Sequence, residues 1–130
     1  VAELDLDRVH AGTVYASFVE AKPVPAAEGE SAIIVPVAVP VGIVRLRDRM
    51  DPSAVQGIPA HVTLLYPFMP VDGLVDDVRR TVEGIVAREP VFTASFRSVA
   101  RWPNVVYLPP EPAEPFRRLT AALAAAFPDY

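Results

Sequence analysis

The chain has no cysteine. That excludes a disulfide framework, a thiol nucleophile and any zinc site built on thiolates. It also fits a reducing compartment, and the cytoplasm is the default expectation. Histidine is nearly as scarce, with only His10 and His61, so any imidazole chemistry rests on two positions. The six glycines form no phosphate-cradling loop. The longest apolar run, residues 32–44, is broken by Pro36 and Pro40 and is too short to cross a bilayer. It lacks the basic start and the position of a signal peptide. The 12 basic and 16 acidic residues give a formal net charge of −4, and the only adjacent basic pairs are Arg79-Arg80 and Arg117-Arg118. No basic stripe suits a long polyanion, so neither DNA nor a membrane surface is an expected partner. A small nucleotide or an RNA end needs only local donors and stays within reach. Heptads and solenoid repeats are missing too.

What is present suits one globular domain. The 130 residues are 52 % apolar and 22 % charged, enough to bury about two-thirds of the extended-chain surface. Fifteen prolines punctuate the chain and set element boundaries. Residues 1–12 are polar without a period. Residues 13–20 read as a strand with Val14, Ala16 and Phe18 on one side. Residues 22–30, with two prolines and several alanines, read as a tether. The expected organisation is an N-terminal extension, 1–30, and a compact domain, 31–130.

Within that domain Ala32-Ile33-Ile34-Val35 predicts a central strand closed by Pro36. Pro40 opens a helix over 41–50 with Ile43, Leu46 and Met50 inward and Arg45, Arg47 and Arg49 between them. Asp51-Pro52 blocks further helix. After a strand around His61, Pro67 and Pro70 bracket a turn, and Asp72 caps a helix running to about Arg88. Its stripe is Leu74, Val75, Val78, Val82, Ile85 and Val86. Residues 91–100 alternate, with Phe92, Ala94 and Phe96 on one face, and form a hairpin with 105–108 across a Trp102-Pro103-Asn104 turn. A last helix over 114–127 buries Phe116, Leu119, Leu123 and Phe127. This order predicts an α+β fold, a mixed or antiparallel sheet with helices packed on one face.

Chemistry concentrates in residues 57–68, Gly-Ile-Pro-Ala-His-Val-Thr-Leu-Leu-Tyr-Pro-Phe. On a strand, residues 61, 63 and 65 look one way and 62, 64 and 66 the other. His61 and Thr63 therefore share a face, and an imidazole beside a hydroxyl on a rigid strand is half of a phosphate-handling site. Taken alone, His61 also reads as a half-buried structural residue and Thr63 as a β-former. Tyr66 and Phe68 either wall a nucleotide pocket or join the core. Arg97 and Tyr107 read as surface and hairpin residues and fall outside the site.

The segment from Ile58 to Phe68 resembles the first His-x-Thr motif of the two-histidine phosphoesterases, and is most similar to their 2'-5' RNA ligase-like branch. Ala32-Ile33-Ile34-Val35-Pro36 resembles the first strand of that family, and Asp51-Pro52 and Gly57 resemble the lead-in to its motif. The run from Arg101 to Pro112, followed by Pro115-Phe116, resembles its central segment. The resemblance implies a bilobal fold in which each lobe supplies one His-x-Thr or His-x-Ser strand to a shared cleft. One histidine acts as general base and the other as general acid on a cyclic phosphodiester, the hydroxyls hold the phosphate, and neither metal nor cofactor is needed. Carried over, the catalytic residues are His61 and Thr63.

In that family a second motif follows the Phe-Pro-x-Tyr stretch, here Phe127 to Tyr130, and these 130 residues do not include it. In His10-Ala11-Gly12-Thr13 the hydroxyl is three residues from the imidazole, so on a strand the two face opposite sides. The expectation is a partial fold, inactive or very slow alone, acting in family terms on a nucleotide or RNA end bearing a cyclic phosphate. Two other readings stay open: a non-catalytic nucleotide- or RNA-end-binding domain, and an assembly protein using an exposed sheet. An uncovered sheet favours a homodimer or larger homo-oligomer.

Overall fold

The structure, a computed structural model, describes the backbone of Ser17–Glu20 and residues 29–130. His10 and the remainder of the strand expected over 13–20 lie outside the described residues. Among the described residues, four helices and two small antiparallel sheets make an α+β fold. The larger sheet has strand order β1 (Ser17–Glu20), β2 (Ser31–Pro36), β3 (His61–Leu65), with β2 central and both pairings antiparallel. Ser17–Glu20 adds an edge strand to its own sheet, with Ser17 opposite Ile34 and Glu20 opposite Ser31.

The β2–β3 ladder carries an irregularity that the sequence pattern does not show. Pro36 pairs with His61 and Ile34 with Thr63, but Ile33 pairs with Leu65, so one extra residue, Leu64, sits on β3. Such a bulge interrupts strict alternation. Leu64 is buried and Leu65 also packs on the core, whereas unbroken alternation puts Leu65 on the His61 side. Beyond β3 the chain stays beside β2. Phe68 N–H donates to the Ser31 carbonyl at 2.9 Å and Val71 N–H to that of Gly29 at 2.9 Å. The Ser31 hydroxyl, fully buried, donates to the Met69 carbonyl at 2.7 Å, which removes the cost of an unpaired buried hydroxyl.

The core joins Ile33, Val35 and Leu64 from this sheet to Val82 of α3 (Asp76–Val86) and Phe116, Leu119 and Leu123 of α4 (Glu114–Ala126). Leu119 and Leu123, four residues apart, are sealed from solvent because they face the same way on one helix. Phe127 caps α4, and its ring and that of Tyr130 meet Phe68 edge-on at 5.1 and 5.3 Å. Phe68 thus belongs to the core, and Tyr66 beside it is exposed. A salt bridge from Arg118 to Glu89 links α4 to the segment just after α3.

Three local expectations are corrected. Asp72 lies in a 3-10 turn, Val71–Gly73, and α3 begins only at Asp76 after an uncapped Val75, so Asp72 is not its cap. Val75 is exposed rather than part of the stripe. The extended segment 91–99 has buried Ala94 and Phe96, as its alternation requires, yet among the described residues it pairs only at Ser95, which exchanges two 2.8 Å backbone bonds with Glu111. The hairpin is correspondingly short: β4 (Ala100–Trp102) and β5 (Val105–Tyr107), turned by Asn104 at φ 65°, a conformation asparagine tolerates.

The largest correction concerns α1 (Val41–Met50). Its bounds match the expectation, but its inward residues do not. Ile43 is half-buried, while Leu46 and Met50 are 46 % and 75 % exposed. The second inward residue is Arg47, one turn after Ile43, with a side chain only 20 % exposed. Its guanidinium donates from Nε and Nη2 to Asp51 Oδ2 at 3.0 and 2.7 Å, to Ser53 Oγ at 3.3 Å and to the Ile58 carbonyl at 3.2 Å. Asp51 does not simply end helix. It closes α1 and caps α2 (Pro52–Val55), accepting from Ser53 N–H at 2.9 Å and Ser53 Oγ at 2.6 Å. Proline at the first position of α2 forfeits no bond. Gly57, at φ 82°, then turns the chain toward β3 in a region where a Cβ is disfavoured.

The Asp51 carboxyl is pushed up by partial burial, but the hydrogen bonds from Ser53 and Arg47 outweigh that and hold it below its ordinary value of 3.8. A depressed carboxyl stabilises the fold above its unfolded value and loses that contribution as pH falls through the lower folded one. The stability gap between wild type and Asp51→Asn is therefore expected to be widest near neutrality and to narrow below pH 3.8. Urea midpoints across a pH series measure it, and a gap independent of pH would deny the ionised carboxylate its role. For the core, Leu123→Ala is expected to cost about 2–5 kcal/mol, whereas Met50→Ala should stay within about 0.5 kcal/mol. Equal losses in denaturant unfolding would mean that the apolar side of α1 is covered after all.

Candidate active site

His61 opens β3 and Thr63 follows two residues later on the same face. Opposite them on β2 stand Pro36 and Ile34. Val35 and Val62 point the other way, toward the core that α4 covers. The strand thus separates a packed side from a side that presents an imidazole and a hydroxyl. His61 is half-buried and Thr63 is exposed. Both sit on backbone tied to β2, so their spacing is set by strand geometry rather than by a loop.

The imidazole is oriented locally. His61 Nδ1 lies 2.7 Å from the carbonyl oxygen of Pro59. A carbonyl can only accept, so Nδ1 carries the proton in this contact. In the neutral ring Nε2 then holds the lone pair. From that nitrogen the ring can take a proton when neutral and return it when charged, while Nδ1–H stays engaged. The Pro59 carbonyl is itself flanked by fixed neighbours. The Ile58 carbonyl accepts from Arg47 at 3.2 Å and the Ala60 carbonyl from Val37 N–H at 2.7 Å.

Among the other residues weighed from the sequence, Tyr66 is exposed just past β3 and Phe68 is consumed by the core. Tyr107 stacks on Trp102 across the hairpin, centroids 4.4 Å apart, and Arg97 lies exposed before β4. Among the described residues, no group of three or more histidine, aspartate or glutamate side chains is placed to hold a metal ion, and no helix is long and apolar enough to cross a membrane. Sequence reasoning missed Arg47 and the Pro59 carbonyl. For the first the sequence signalled the ion pair and the cap but not the inward turn: Arg47 and Asp51 are four apart, and Asp51-Pro52-Ser53 is a helix-start pattern. The second has none, because every residue offers a carbonyl.

Comparison with known proteins agrees with the residue pattern. Neither the curated proteins nor the solved structures yielded a match to this chain. A family model does match, over residues 35–130, and it spans β3, both long C-terminal helices and the hairpin. That match covers about three-quarters of the 130 residues, and the chain belongs to the 2'-5' RNA ligase superfamily.

Proposed function

We propose that this chain carries one half of a phosphodiester-processing site of the two-histidine kind. His61 is its proton-transfer group and Thr63 its phosphate-holding hydroxyl. The substrate class is a nucleotide or RNA end bearing a 2',3'-cyclic phosphate. The observation that carries the reading is the pairing on one strand face of an exposed Thr63 with an imidazole whose Nδ1 is committed to Pro59. Family membership adds the expectation of a phosphate-centred reaction.

The chemistry assigns each group a task. Opening the cyclic ester requires a water proton to be removed as oxygen attacks phosphorus. The bond to one ribose oxygen then breaks, and that oxygen must gain a proton. A base on one side and an acid on the other supply these steps, each worth roughly 10²–10⁴ in rate. The Nε2 of His61 suits either task. One imidazole does not serve both sides of an in-line displacement at once, and His61 is the only histidine of a His-x-Thr pattern in these 130 residues. The Thr63 hydroxyl donates to a phosphate oxygen, a hydrogen bond to a charged group worth about 1.5–3 kcal/mol.

The 130-residue protein is expected to bind a 2',3'-cyclic nucleotide weakly, with the His61 and Thr63 resonances moving in an NMR titration. Thr63→Ala and His61→Ala should each weaken binding about tenfold, the equivalent of one lost charge-assisted bond. A titration that shifts neither residue, or substitutions that leave affinity untouched, would remove the proposed site. Ring opening by the same protein is expected to stay at background. Robust turnover abolished by His61→Ala would overturn that, and would require His10 or His61 of a second copy to complete the pair.

A further inference from the structure

Arg47 does more than tie two helices together. Three successive carbonyls lead into β3, and each is held: Ile58 by the Arg47 guanidinium at 3.2 Å, Pro59 by His61 Nδ1 at 2.7 Å, and Ala60 by Val37 N–H at 2.7 Å. The middle one aims the imidazole. Its own direction depends on the peptide planes either side, and the one on the α1 side is pinned by a side chain eleven residues upstream. Pro59 adds stiffness, because its ring locks φ.

The guanidinium is suited to this task. The Arg47 side chain is four-fifths buried, and a buried cation needs compensating partners. Asp51 supplies the charge with two hydrogen bonds to one carboxylate oxygen, and Ser53 and Ile58 supply neutral acceptors. The planar fork of arginine reaches all three acceptors from one position, as the compact ammonium of lysine does not. Asp51 is in turn locked by Ser53 through its second oxygen. The device runs from α1 through the cap of α2 to the residue preceding Pro59, and α1 keeps Arg47 inward while leaving Leu46 and Met50 to solvent.

We propose that Arg47 is a positioning residue for His61: by holding the Ile58 carbonyl it orients the Pro59 carbonyl, which fixes the proton on Nδ1 and leaves Nε2 as the working nitrogen. The proposal rests on the reading of His61 as the proton-transfer group for its functional meaning, but its physical content is a coupling between Arg47 and the His61 tautomer. Without a fixed acceptor, neither tautomer of a neutral imidazole is enforced. Arg47 touches no reacting atom in this scheme. It acts only through the two peptide units before β3.

The test is the nitrogen NMR signature of His61 at alkaline pH, where imidazole is neutral. In the wild-type protein Nδ1 should give a protonated-type signal and Nε2 an unprotonated-type signal. In Arg47→Ala the two should move toward each other as the second tautomer gains population. Asp51→Asn, which keeps the guanidinium but removes its charged anchor, should move them less in the same direction. It serves as the second variant if Arg47→Ala fails to fold. A merely structural role would lower the unfolding midpoint and leave the tautomer alone, so wild-type nitrogen signals in a folded variant would overturn the proposal. The outcome is separable from the site reading. Converging signals together with no cyclic-nucleotide binding in wild type would support the coupling and remove the function. Nucleotide binding with an unmoved tautomer in the variants would do the reverse.

Discussion

The antiparallel register of β2 against β3 is the constraint on which the rest of this domain depends. It sets Pro36 opposite His61 and Ile34 opposite Thr63, and in doing so assigns every side chain of β3 to a face. A one-residue slip would exchange the two faces, placing imidazole and hydroxyl in the core and Val62 on the face that now carries the exposed Thr63. The hydrophobic demand of the core opposes that slip. Val35, Val62 and Leu64 must meet Val82, Leu119 and Leu123, and the strand is held in place by what packs behind it. The bulge at Leu64 confines its consequences to the end of the strand, beyond His61 and Thr63.

A second layer of order reaches the start of β3 from the other direction. The helix α1 spends its inward surface on Ile43 and a guanidinium rather than on a continuous apolar stripe. Burying a charge in this way is rarely the most stabilising choice, since well-packed apolar residues often serve as well or better. What the ion cluster supplies is direction. Hydrogen bonds fix the angles of carbonyls, and of those before β3 the Ile58 carbonyl is held by Arg47 and the Pro59 carbonyl meets the His61 ring. Nonpolar contact with Leu46 or Met50 would hold the helix without setting any carbonyl.

The far end of the chain is anchored by aromatic contact. Phe127 and Tyr130 close over Phe68, three residues beyond the end of β3, so the exit of that strand is clamped as its entry is braced. Offset and edge-on ring contacts add modestly to the burial they accompany. Their place matters more than their size, because they tie α4 to the chain just after the strand it covers.

How much of this was legible in the sequence follows from the range of the interaction involved. The β-branched run of β2, the period of α3 and the Phe116, Leu119, Leu123 spacing of α4 are local patterns, and burial follows their period. The shared face of His61 and Thr63 is equally local, since it needs only alternation over three residues. The quoted segments likewise carried the resemblance to the family whose model matches residues 35–130. Tertiary structure alone decided three things. It moved Leu65 inward, because a bulge depends on the partner strand. It left residues 91–99 with a single bridge, because alternation shows which side chains are buried and not which backbone is paired. It turned Arg47 inward, because hydropathy counts arginine as a surface residue, whereas three acceptors up to eleven residues ahead make a partly buried guanidinium the better partner.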